Sequence, residues 1–114
     1  MLRFYSYCIL LLSSADLLAA EQGTLTLTPL IESVSIDVAG PDEEHPNSVE
    51  FRKAGSNDWR QGNNLYFDTV EERLSGVIVQ LKPDTSYEVR ISVEGAAGDY
   101  TLNGQVHTRA DKPP

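Results

Sequence analysis

A single cysteine, Cys8, is all the thiol chemistry this 114-residue chain carries. No intrachain disulfide can staple it, so any domain here must stand on its apolar core. No stretch approaches the roughly 20 apolar residues that a membrane-spanning helix needs; the most apolar one, 4–12, is far too short. Asn-x-Ser/Thr acceptor sites for glycosylation are absent. Basic residues are few, 9 against 17 acidic, for a net charge of −8. That balance repels a phosphate backbone and disfavours nucleic acid as a partner. There is no Gly-x-Ser-x-Gly nucleophile elbow, no internal repeat and no low-complexity tract.

What the first twenty residues do contain is a three-part export pattern. Arg3 supplies a positive start, CILLL at 8–12 a short apolar centre, and LLAA at 17–20 a small-residue ending. Cleavage after Ala20 is expected. It would remove Cys8 along with Arg3 and Asp16, leaving the net charge unchanged and the mature domain free of cysteine. The expected location is therefore secreted, periplasmic or extracellular. About 94 residues remain, enough to bury somewhat over 60% of the unfolded surface in one domain.

The rest of the chain alternates. The most informative stretch is LKPDTSYEVRISVEG, 81–95. Leu81 ends one strand, Pro83 forces a turn, and Asp84 and Thr85 suit that turn because their side chains bond nearby backbone. Tyr87, Val89, Ile91 and Val93 then alternate with polar residues, which is the period of a strand with one buried face. A tyrosine just after such a corner can bury its ring and return its hydroxyl to the upstream backbone. Leu81, Pro83, Thr85 and Tyr87 are thus a structural corner.

Further strands are expected at 24–28 (TLTLT, ended by Pro29), 32–39 with Val34, Ile36 and Val38 inward, and 48–53 with Val49 and Phe51 inward. After a turn at 54–58, 59–61 resumes briefly, and 65–67 is a short strand. The segment 74–81 places Val77, Val79 and Leu81 on the core side and Ile78 outward. The strand 86–94 follows, then a loop at 95–99 (GAAGD). The last strand spans 100–108, where Asn103-Gly104 signals a hairpin or a bulge. Residues 110–114 (ADKPP) read as a Pro-rich tail or linker. No helical periodicity appears after residue 20. About seven short strands with turn signals between them predict an all-β two-sheet sandwich over 21–109.

Three groups of side chains invite chemistry. Asp42, Glu43 and Glu44, clustered with His45, could offer carboxylates to a hard cation, but consecutive residues held by Pro46 are not expected all to converge on one point, so no metal is predicted. His107 has no serine or cysteine in a motif context, and no catalytic residue or cofactor is expected. Trp59 and Tyr66 are the candidate ligand surface, since amphipathic rings can stack on sugars. Period 2 allows only one of Tyr66 and Phe67 to share a face with Trp59.

The motifs LKPDTSYEVRISV and SVEFRKAGSNDW, the ten-residue spacing from Gly98 to Thr108 and the strand count together resemble a fibronectin type III domain, over about 24–109. The second strand departs from the common pattern, carrying Ile36 and Val38 where many members have Trp. The resemblance implies a seven-stranded immunoglobulin-like sandwich, divergent and of bacterial type, often attached to secreted carbohydrate-active enzymes. The adhesive Arg-Gly-Asp of some members is missing, since Ala97 precedes Gly98-Asp99. The expectation is a non-catalytic, monomeric, exported spacer or protein-interaction module whose partner is a protein or a cell-surface glycan. A carbohydrate-binding module, or the N-terminal fragment of a secreted carbohydrate-active enzyme, is the alternative.

Overall fold

A computed structural model describes residues 23–111; the expected signal segment 1–20 and the last residues of the Pro-rich tail lie outside them. Alternation of apolar and polar residues produces eight strands. They are β1 (Thr24–Pro29), β2 (Val34–Ala39), β3 (Asn47–Lys53), β4 (Arg60–Gln61), β5 (Tyr66–Asp68), β6 (Arg73–Ile78), β7 (Ser86–Gly95) and β8 (Gly98–His107). Two antiparallel four-stranded sheets result, ordered β1-β2-β6-β5 and β4-β3-β7-β8. The eighth strand beyond the expected seven is the two-residue β4.

The core lies between the sheets. Val34, Ile36 and Val38 of β2 face Val49 of β3 and Val89, Ile91 and Val93 of β7, all at most 1% exposed. Leu65, Leu74, Ile78, Leu81 and Tyr87 complete it. No Trp is needed at the centre: Phe51 packs against the core and meets Tyr87 edge to face, ring centroids 6.5 Å apart.

Two expectations about strand phase fail for identifiable reasons. Ile78 is buried, while Val77 and Val79 are exposed. The register sets this: Val38, Ile36 and Val34 lie opposite Leu74, Gly76 and Ile78, so those three point inward. Leu81 is inward as well, but β6 has ended by then and Gln80 has a left-handed φ of 61°. That residue resets the alternation, so counting back from Leu81 gives the wrong face.

Asn103-Gly104 forms neither hairpin nor bulge. β8 pairs with β7 without interruption from Ser86↔His107 to Gly95↔Gly98. The turn lies instead at Ala96-Ala97, where a longer loop was expected. Gly104 is there for space, since a Cβ at that position would sit 2.8 Å from a Leu27 methyl and 3.1 Å from one of Leu25.

Candidate functional site

The corner between β6 and β7 is a dense hydrogen-bonded knot. The Lys82 N–H donates to the Tyr87 hydroxyl at 2.9 Å. The hydroxyl therefore returns to the upstream backbone as expected, as an acceptor from an N–H. Thr85 Oγ1 donates to the Pro83 carbonyl at 2.8 Å, and Asp84 takes a left-handed φ of 50°. Thr108, which the sequence offered only as a spacing mark, joins from the end of β8. It is fully buried, accepts from the Thr85 N–H at 2.9 Å and donates to the Lys82 carbonyl at 2.6 Å. No local pattern in the sequence announces this, because its partners lie 23 and 26 residues away.

On the rim of this corner stand Ser86, His107 and Asp84. Ser86 Oγ lies 2.7 Å from His107 Nδ1, and Asp84 Oδ1 lies 2.7 Å from His107 Nε2. A neutral ring protonated at Nε2 donates to Asp84 and accepts from Ser86. The residue types are those of a nucleophilic triad, and sequence reasoning missed the grouping because cross-strand pairing Ser86↔His107 creates it. The side chains of His107 and Asp84 are 55% and 71% exposed. Transition-state charge is stabilised strongly only where water is excluded; these three residues lie open to water and link the corner to the strand end.

The outward face of β3 and β7 carries a checkerboard of charge. Arg52 pairs with Glu88 at 3.2 Å and Arg90 with Glu50 at 3.1 Å. Trp59, just before β4, lies against this face with the Arg52 and Arg90 guanidinium carbons 4.4 and 4.0 Å from its ring centroid. Both contacts are within cation–π range. Beside it runs an open groove of about 410 Å³, lined also by Asn103 and Gln105.

Trp59 and Tyr66 do not share a surface. Tyr66 is exposed on edge strand β5 and lies opposite Ser75, which in turn lies opposite Asp37 on the outer face of the β1-β2-β6-β5 sheet. Trp59 is on the outer face of the other sheet. The expected two-ring ligand surface is therefore split across the sandwich.

Asp42, Glu43 and His45 bring ligand atoms within 4.8 Å of one another, while Glu44 is not among them, so the four do not all converge. The chain bends at Asp42 and Glu43, which brings these three together. Both carboxylates are exposed, and three donors fall short of the six to eight oxygens that calcium takes.

Two groups titrate away from their ordinary ranges. Lys82, first by hydrogen bonding and then by its charge, holds the Lys53 ammonium below the usual lysine range. Burial pushes the Tyr100 hydroxyl above the usual tyrosine range.

No family model and no curated protein matches the chain. Solved structures do. A computationally redesigned β-sandwich protein is 16% identical, with TM-score 0.55 over 78% of this chain and 94% of that one. The fibronectin type III domain of human fibronectin type III domain containing protein 3 is 18% identical, with TM-score 0.54 over 81% and 85%. The sensor domain of the anti-sigma factor RsgI4 of Pseudobacteroides cellulosolvens is 15% identical, with TM-score 0.50 over 77% and 95%. The fold of this chain is accordingly the two-sheet β-sandwich of fibronectin type III-like domains.

Proposed function

We propose that the chain is a non-catalytic, exported module that serves as a spacer or protein-interaction domain beside or within a secreted multidomain protein. The observation that carries this reading is the Trp59 platform. The outward sheet face holds one tryptophan and two arginines in fixed ion pairs, on a rigid scaffold, next to an open groove. Tryptophan and arginine are over-represented among residues that dominate protein–protein binding energy. The fold supports a non-catalytic module, and the exposed Ser86–His107–Asp84 cluster lacks the enclosure that catalysis by those groups requires.

A glycan-binding role is less well supported. The two rings expected to form a sugar-stacking surface, Trp59 and Tyr66, lie on different sheets, so Trp59 has no second ring beside it for such a ligand. The export part of the proposal rests on the three-part pattern of residues 1–20. Amino-terminal sequencing of protein secreted by expressing cells is expected to begin within two residues of Glu21, and a retained Met1 contradicts it. The non-catalytic part is tested by assaying the purified protein on ester, glycoside and phosphoester substrates. No turnover is expected; turnover lost in Ser86→Ala or His107→Ala overturns the reading.

A further inference from the structure

We infer that β8 pairs edge to edge with β8 of a second copy of this chain, joining two sandwiches into a dimer through one continuous eight-stranded sheet. This rests on the reading of the chain as an interaction module and names the partner.

The four sheet edges are not alike. β1 ends in Pro29, β4 has two residues and β5 has three. Short edges and proline are the usual protections against strand addition. β8 is ten residues long and contains no Lys, Arg or Pro. Among the described residues no strand pairs with its outer side. Its inward-facing Tyr100, Leu102 and Val106 are only half-buried, so the core is thinly covered along this side.

The free backbone groups can be assigned. Thr108 N–H donates to the Thr85 carbonyl at 2.9 Å. Alternate residues of an antiparallel strand point their hydrogen-bonding groups to opposite sides. Hence Gly98, Tyr100, Leu102, Gly104 and Val106 bond to β7, while Asp99, Thr101, Asn103, Gln105 and His107 direct N–H and C=O outward. These five are also the residues whose side chains face outward, opposite Glu94, Ser92, Arg90, Glu88 and Ser86.

A two-fold pairing must match both the hydrogen-bond phase and the face phase. Centring the axis on Asn103 does both and uses the full strand. Asn103 then lies opposite its own copy, Thr101 opposite Gln105, and Asp99 opposite His107. On the inner face Tyr100 lies opposite Val106, and Leu102 opposite Gly104. About ten intermolecular backbone hydrogen bonds form, two for each bonded pair. No like charges lie directly opposite along the two strands, and Asp99 faces His107, the ring that also holds Asp84, at each end, a complementarity that favours this register.

The test is sedimentation equilibrium of the protein from the full-length gene over a wide concentration range. A reversible monomer–dimer equilibrium is expected. Asn103→Pro removes an outward N–H without touching the β7 ladder and should raise the dimer dissociation constant roughly tenfold or more. Thr101→Lys, which demands nothing of the fold, should do likewise. The register is read by cross-linking in a Cys8→Ser background. Asn103→Cys places two sulfurs across the axis, where Cα atoms about 5.5 Å apart suit a disulfide. Thr101→Cys does not, yet should cross-link when mixed with Gln105→Cys. Three results overturn the proposal: a monomer at every concentration, which leaves the edge to a strand from another protein; a dimer indifferent to Asn103→Pro and Thr101→Lys; or cross-linking of Thr101→Cys alone as readily as Asn103→Cys. None of them removes the module reading, which stands on the Trp59 face and is tested separately by the turnover assays.

Discussion

Tyr87 and Thr108 close the same corner from two sides, one by an acceptor and the other by both an acceptor and a donor. Tyr87→Phe keeps the ring and strips the partner from the Lys82 N–H, which water can partly reach. The expected loss is about 1 kcal/mol, at the low end for an unsatisfied group. Thr108→Val keeps the shape but orphans both the Thr85 N–H and the Lys82 carbonyl. It should cost about 2–4 kcal/mol, since each stranded group costs about 1–3. Urea denaturation of both variants beside the parent checks the order: Thr108→Val must lie well below Tyr87→Phe. A third residue responds to pH. Burial raises the Tyr100 hydroxyl pKa above its ordinary value of 10.0. The folded state thus favours the protonated form. The resulting stability is fully present below the unfolded-state pKa and is lost as pH rises through the folded one. Thermal melts through the alkaline range should fall less steeply for Tyr100→Phe than for the parent.

At the scale of strands, register rather than composition decides which side chains meet. Gly76 faces inward opposite Ile36, and the space over it is filled by Leu65, whose methyl would lie 2.6 Å from an added Cβ. Leu65 is itself 4% exposed and hemmed in. Gly76→Ala should therefore cost about 1–3 kcal/mol, as overpacking does, measured as a lower denaturation midpoint. The clean alternation of Val34–Ala39 and of Ser86–Gly95 could be read directly from the chain, because both strands are central and one-sided. The Val77–Val79 phase could not, since the left-handed Gln80 leaves no mark in the residue type. Asn103-Gly104 misled because a glycine wanted for space looks the same as one wanted for a turn, and the packing that needs it comes from β1, some 80 residues earlier. The Trp59 site was half legible: the ring stood out, but Arg52 and Arg90 become its neighbours only once β3 and β7 are aligned.

Across the whole molecule the order of strands matters more than any one contact. β1 runs from the end where Gly23 lies to the end where the Arg109 N–H donates to the Leu30 carbonyl at 2.9 Å. β8 runs to that same end and is followed there by Arg109. Chain entry and chain exit of the described domain thus lie at opposite poles, about one strand length or roughly 20 Å apart along β1. The consequence is mechanical. Tension applied through the two ends loads β1 against β2 and β8 against β7 along the strand axes, while the ladder bonds lie across them. The rungs must then fail together, as a glued lap joint does, instead of one after another like a zip. Single-molecule stretching between Gly23 and Arg109 should accordingly need a higher force than stretching between Ser86 and His107, where the β7–β8 hairpin opens rung by rung.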